Sequence, residues 1–391
     1  MSVRVTLVAA TAVALSAALA GAALAAPGAG HDATREALRA AVREGVPGVT
    51  ATVKDGHRTW RATEGVGNLR TGEPRSASDR YRVGSITKTF VATVMLQLEA
   101  EGRLSLDDTV HRWLPGTVRG NGHDGRKITL RRLLNHTSGI HDYTSDEEFG
   151  RTYFLKDGFF AHRYDTKRPA ELVAIAMGHR PEFAPGTSWG YSNTNYVLAG
   201  MVIEKATGRP YGAEIRDRII EPLHLHATSV PGTRAAVPQP SSRAYSKLAP
   251  TTTGPTYDVT RLNPSLAYAA GEMISDSSDL NRFYRALLGG ELLPPRQLKA
   301  MKTTVEIDGA PNDGYGLGLM ERRLSCGVRV WGHGGGIHGS SSEAVTTPDA
   351  RHSLALNFNG DWAGDTDAVV EAEFCGDARG ATRPGTRLGT R

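Results

Sequence analysis

Two hydrophobic rhythms alternate along the chain. The stretch from Asp32 to about Arg43 reads as an opening helix with Asp32 as its cap. "GVTATVKDGHRTWRATEGVGN" then alternates apolar and polar residues on either side of Asp55-Gly56, which predicts a hairpin. Phe90, Val91, Val94, Met95 and Leu98 return to helical spacing, so Ser85 is predicted to open a buried helix. After a turn at Pro185-Gly186, Tyr196 to Glu204 read as a second apolar helix. Strand patterns come back at roughly 313 to 358, and "DAVVEAEF" closes as a helix. The predicted fold is α/β (α+β): one antiparallel sheet built from N- and C-terminal segments and flanked by helices. The predicted division is 26–96 plus 266–375 for the sheet part and 97–265 for an inserted, mostly helical part.

Charge and the chain ends change that picture only at its margins. The formal charge is +5, but Arg4 supplies +1 and residues 376–391 supply +3, leaving the body near +1. A nucleic-acid-binding surface is therefore not expected. Residues 1–25 carry Arg4, an Ala/Val/Leu-rich core and Ala23-Leu24-Ala25, the pattern of a cleaved signal peptide. The expected product is secreted, monomeric and free of the membrane after cleavage. The Gly/Thr/Arg-rich tail at 376–391 has no apolar periodicity and is expected to be disordered and removable.

Three short motifs carry the chemistry. Ser85-Ile86-Thr87-Lys88 puts a hydroxyl and an amine three residues apart, on one face of a helix start. A serine is a weak nucleophile until a base takes its proton, and a buried lysine can become that base. Tyr191-Ser192-Asn193 supplies a phenol for proton transfer and an amide for a substrate carbonyl or the lysine. His333-Gly334-Gly335 follows the β-branched "CGVRVW" strand. The glycines just past it let a substrate backbone approach, with the Gly336 N–H as an oxyanion donor beside that of Ser85.

With "YRVGSITKTF", "LLNHTSGIHDY", "YSNTNYVLAGMVIEKATG", "DLNRFYRALLGGELL" and "YGLGL" followed by "LSCGV", the chain resembles the serine penicillin-recognising enzymes. That family holds the secreted D-alanyl-D-alanine carboxypeptidases, the class C β-lactamases and related esterases. The resemblance implies an acylated nucleophile at Ser85, a proton-handling pair in Lys88 and Tyr191, and a positioning amide in Asn193. His333 then opens the strand motif, with Gly334, Gly335 and Gly336 beside the substrate. It also implies a peptide or β-lactam substrate, such as a peptidoglycan stem peptide, and no cofactor. The leading expectation is a D-alanyl-D-alanine carboxypeptidase-like hydrolase. The alternatives are a β-lactamase, an esterase or a D-aminopeptidase, and more remotely a non-catalytic binder of cell-wall peptides. Two positions depart from the carboxypeptidases, which have threonine after the motif histidine and arginine after Gly-Leu-Gly-Leu. Here those positions are Gly334 and Met320, so Arg322, of the same strand parity, is the candidate to grip a free carboxylate.

Other readings fall away. Gly186 to Gly190 spells G-x-S-x-G and His333 to Gly336 spells HGGG, but their order is reversed for an α/β-hydrolase and Ser188 follows a turn. Gly334, Gly336 and Gly339 match G-x-G-x-x-G with no helix after them. No H-E-x-x-H is present and no metal is expected. Most histidines read as surface or loop residues, with His333 and His338 facing the site. Cys326 and Cys375, the only cysteines in a chain expected to be exported, are expected to pair.

Overall fold

A computed structural model describes residues 30–376, and the expected signal peptide at 1–25 and the expected disordered tail beyond Gly376 lie outside the described residues. Two distant parts of the chain supply the strands of one eight-stranded sheet. β1 (Gly48–Asp55) and β2 (Arg58–Gly65) form the anticipated hairpin. β3 (Val305–Ile307), β4 (Ala310–Tyr315), β5 (Met320–Arg323), β6 (Arg329–Ile337), β7 (Ser340–Thr346) and β8 (His352–Phe358) follow far downstream. Their spatial order is β2-β1-β8-β7-β6-β5-β4-β3, every pair antiparallel. The last strand lies beside the first, with Val49 opposite Phe358 and Asp55 opposite His352.

Strand alternation sorts the two faces. Ala51, Val53, Val345, Leu354 and Leu356 pack with Leu38 of α1 (Asp32–Arg43) and with Val369 and Val370, which lie in the helix Thr366–Cys375. Trp331, Ala344 and Ala355 belong to the other, larger core. That core is built around α2 (Thr87–Ala100) and includes residues of α3 (Asn193–Thr207) and α4 (Ser277–Leu288). α2 is buried nearly all round, because it lies in the middle of this layer. Phe90 of α2 stacks on Phe283 of α4 with centroids 3.7 Å apart. The Asn281 amide of α4 donates to the Thr52 carbonyl of β1 at 2.8 Å. Cys326, in the turn between β5 and β6, is bonded to Cys375 at the end of α5 (Thr366–Cys375). Among the described residues no helix is long and apolar enough to cross a membrane.

Three local expectations differ from the structure. The downstream strands begin at Val305, not near 313, because Pro311, Asn312 and Gly314 give a real strand the composition of a turn. Asp32 is the first helical residue and not the cap; His31 holds that position, its ring hydrogen-bonded to Glu373 at 3.0 Å. β6 also continues through Gly334, Gly335 and Gly336, where glycine is a poor strand former. The reason for those glycines is a close contact with another segment.

Candidate active site

That segment is the turn carrying Ser85. Ser85 lies in a 3₁₀ turn, Gly84–Ile86, directly ahead of α2 and not in the α-helix itself. A Cβ at Gly335 would stand 1.9 Å from the Val83 carbonyl oxygen and 3.0 Å from the Ser85 nitrogen. A Cβ at Gly84, whose φ is +53°, would stand 2.8 Å from the Gly336 nitrogen. Only paired glycines allow two backbones this close. Their reward is that the Ser85 and Gly336 backbones meet at one place, as an oxyanion site requires. β5 pairs with β6 only from Arg329 to Gly332, so the edge of β6 beyond His333 is not taken up by β5.

Lys88 is the second residue of α2, three positions past Ser85, with no solvent exposure. Its Nζ donates to Ser85 Oγ at 2.9 Å, to Asn193 Oδ1 at 2.8 Å and to the Ala270 carbonyl at 2.7 Å. Desolvation lowers its pKa to about 7, with the Asp142 carboxylate pulling the other way. Loss of one proton leaves two N–H groups and a lone pair among three partners. The Asn193 and Ala270 oxygens can only accept, so the lone pair must turn to the one partner with a proton to give, the Ser85 hydroxyl. The Tyr191 phenol also faces Ser85, and burial raises its pKa, so it stays protonated at neutral pH. Lys88 Nζ lies 4.8 Å from the centroid of the Tyr191 ring.

Asn193 begins α3 with its amide fully engaged. Its Nδ2 donates to Asp142 Oδ2 at 3.0 Å and to Thr144 Oγ1 at 3.2 Å, which turns Oδ1 towards Lys88. Of the two tasks the motif allowed, this geometry gives the amide the lysine.

His333 is buried, and both of its ring nitrogens are engaged with the protein. Its Nδ1–H donates to the Gly334 carbonyl at 2.5 Å, leaving Nε2 to accept from the Tyr315 hydroxyl at 2.8 Å. Desolvation, reinforced by the Lys88 charge, lowers the His333 pKa to about 3, so the ring is neutral. Tyr315 in turn accepts from His136 Nε2 at 3.2 Å. His136 Nδ1 accepts the Ser192 N–H at 3.1 Å. One directed chain therefore ties the Tyr191-Ser192-Asn193 segment to β6. Neither His136 nor Tyr315 was singled out from sequence, although both lie in segments that carried the family resemblance. Their contacts bridge positions far apart in the chain, and no local pattern encodes them.

Arg322 is not available as a carboxylate grip. Its guanidinium holds Glu343 at 2.8 Å and also Asp367 of α5, and its side chain is 14% exposed. Register puts Glu343 opposite Gly334, and a Cβ at Gly334 would stand 2.7 Å from Glu343 Oε2. The space where a threonine would sit is thus occupied by a carboxylate already paired to Arg322. His338 does not face the site either. It is buried, donates from Nε2 to the Tyr153 carbonyl at 2.7 Å and packs on Phe154 and Phe159. Ser188 is half-buried and its hydroxyl donates to Asp308 Oδ2 at 3.2 Å.

A family model described as Beta-lactamase matches residues 31–372. The chain belongs to the beta-lactamase family. It is thereby a serine hydrolase related to the penicillin-binding proteins. Penicillin-binding protein 4* of Bacillus subtilis is 28% identical to it over 80% of this chain and 68% of that protein. Among solved structures, a D-stereospecific amidohydrolase from Streptomyces sp. is 64% identical, with a TM-score of 0.86 over 89% of this chain and 100% of that one. The D-amino acid amidase from Ochrobactrum anthropi SV3 is 30% identical, with a TM-score of 0.73 over 87% and 97%.

Proposed function

We propose that this beta-lactamase-family chain is an exported D-stereospecific amidohydrolase that acts on amides of D-amino acids and of D-residue peptides. The observation that carries the reading is the closed carboxylate grip. Arg322 is held by Glu343 and Asp367, Gly334 offers no hydroxyl, and His333 is neutral. A carboxypeptidase must hold the free carboxylate of its substrate. A charge-assisted hydrogen bond is worth about 1.5–3 kcal/mol, or roughly ten- to over a hundredfold in efficiency. The likeness to a D-stereospecific amidohydrolase at 64% identity supports the same choice.

The reaction runs through an acyl-enzyme. Neutral Lys88 takes the Ser85 proton as Oγ attacks the amide carbonyl, and the oxyanion is held by the Ser85 and Gly336 N–H groups. Collapse expels the amine, which takes a proton passed through Tyr191 from Lys88. Water, deprotonated along the same route, then releases the D-acid and frees Ser85.

The test is a panel of D- and L-phenylalanine amide together with an acyl-D-Ala-D-Ala acid and its amide. Penicillin labelling and Ser85→Ala accompany it. Hydrolysis of the D-amide above the L-amide, and of amide above acid, is expected, with label and turnover both lost in Ser85→Ala. A preference of about a hundredfold for the free acid would overturn the reading.

A further inference from the structure

We propose that Asp142 is the acidic partner for a free, cationic α-amine on the substrate, so that the enzyme selects D-residue amides with an unblocked N-terminus. The inference rests on the amidohydrolase reading and deepens it.

Asp142 is partly exposed and lies next to the lysine–asparagine pair. Its oxygens are met by the Thr144 N–H and hydroxyl and by the Asn193 backbone and amide N–H groups. All four donors are neutral. Desolvation raises the Asp142 pKa, these bonds and the nearby charge pull it back down, and the cation that does so is Lys88. The resting site is thus balanced, one ammonium against one carboxylate. In the form that attacks, Lys88 is a neutral amine and the balance is lost. Tyr191 remains a phenol, His333 is neutral and Arg322 is committed to Glu343 and Asp367. Asp142 is then left with no cation beside it, in a site with little water to screen a charge.

Substrate chemistry fits that vacancy. The α-nitrogen of an amino-acid amide is two bonds from the carbonyl carbon that Ser85 attacks. Asp142 lies one amide group beyond Lys88, the immediate neighbour of Ser85. An α-ammonium restores neutrality and also favours the deprotonated lysine, since like charges repel. An N-acylated substrate does neither, and a substrate carboxylate adds a second negative charge.

The experiment compares kcat/KM for D-phenylalanine amide and its N-acetyl derivative in wild type and in Asp142→Asn. The wild type should favour the free amine by about ten- to a hundredfold, the range of one charge-assisted contact. Asp142→Asn should bring the ratio close to one. The ratio is the readout because loosening Asn193 lowers both rates together. Should that variant fail to fold, inhibition of the wild type by D-phenylalaninol and by uncharged 3-phenylpropanol decides instead: tighter binding of the cation supports the proposal, and equal binding overturns it. An unchanged ratio in folded Asp142→Asn overturns it too. Equal hydrolysis of both amides by the wild type overturns the inference and leaves the amidohydrolase reading standing. If neither amide is hydrolysed while esters are, the amidohydrolase reading itself falls, and the inference with it.

Discussion

Replacing Tyr315 with phenylalanine removes one oxygen and strands two partners. His333 Nε2 loses the donor at 2.8 Å, and His136 Nε2–H loses its acceptor at 3.2 Å. The two histidines are 3% and 0% exposed, so water cannot stand in for the hydroxyl without rearrangement. A buried polar group left unpaired costs about 1–3 kcal/mol, so the substitution should cost about 2–6 kcal/mol. That is a large share of a stability of about 5–15 kcal/mol. Tyr284 is the internal control, equally buried and also hydrogen-bonded, to Thr89 at 2.9 Å. Thr89 keeps the Gly318 carbonyl as an acceptor at 2.7 Å, so Tyr284→Phe should cost only about 1 kcal/mol. Denaturant titrations followed by far-UV circular dichroism and by tryptophan fluorescence give both numbers. Hydrolysis of a D-amide should also fall, by on the order of a hundredfold, since an error of about 1 Å in a reacting group costs that much. The reasoning fails if Tyr315→Phe destabilises no more than Tyr284→Phe.

Two further outcomes follow from the site geometry. The neutral Lys88 amine is the base and its pKa is lowered to about 7 by burial, so kcat/KM should fall as pH drops through about 7, with a slope of one on the acid limb. A profile flat down to about pH 5 would remove Lys88 from that role. Gly335→Ala should abolish acylation by penicillin, because its Cβ meets the Val83 carbonyl at 1.9 Å; Gly336→Ala, with nothing within 4 Å, should keep its melting stability to within about 0.5 kcal/mol.

What could be read from the sequence was what is local. Ser85 and Lys88 are three apart on a helix start, and Tyr191 and Asn193 two apart at another. The β1–β2 hairpin declared itself by alternation around Asp55-Gly56. What stayed hidden depends on tertiary contact. Arg322 has the parity of a substrate-facing cation, but its fate is set by Glu343 on β7, across β6, and by Asp367 on α5. The glycines of β6 read as the end of a strand because their purpose, receiving the Ser85 turn, lies about 250 residues away in sequence. His136, with a positive φ of 61°, lies in a segment that carries the family resemblance but has no role assigned there. Only the fold reveals it as the link between two motifs.

The pairing of the first strand with the last has a consequence during biosynthesis. Until Phe358 has been made, β1 lacks its partner, and the β1–β2 hairpin offers an open edge. Two strands alone are marginal in water, and contacts spanning about 300 residues close slowly. The Gly335–Gly336 half of the oxyanion site arrives only about 250 residues after Ser85. A growing chain thus carries Ser85 and Lys88 for most of its synthesis with no assembled site around them. The hydrolase is silent until β8 is in place, and its activity is itself a report that the whole sheet has closed.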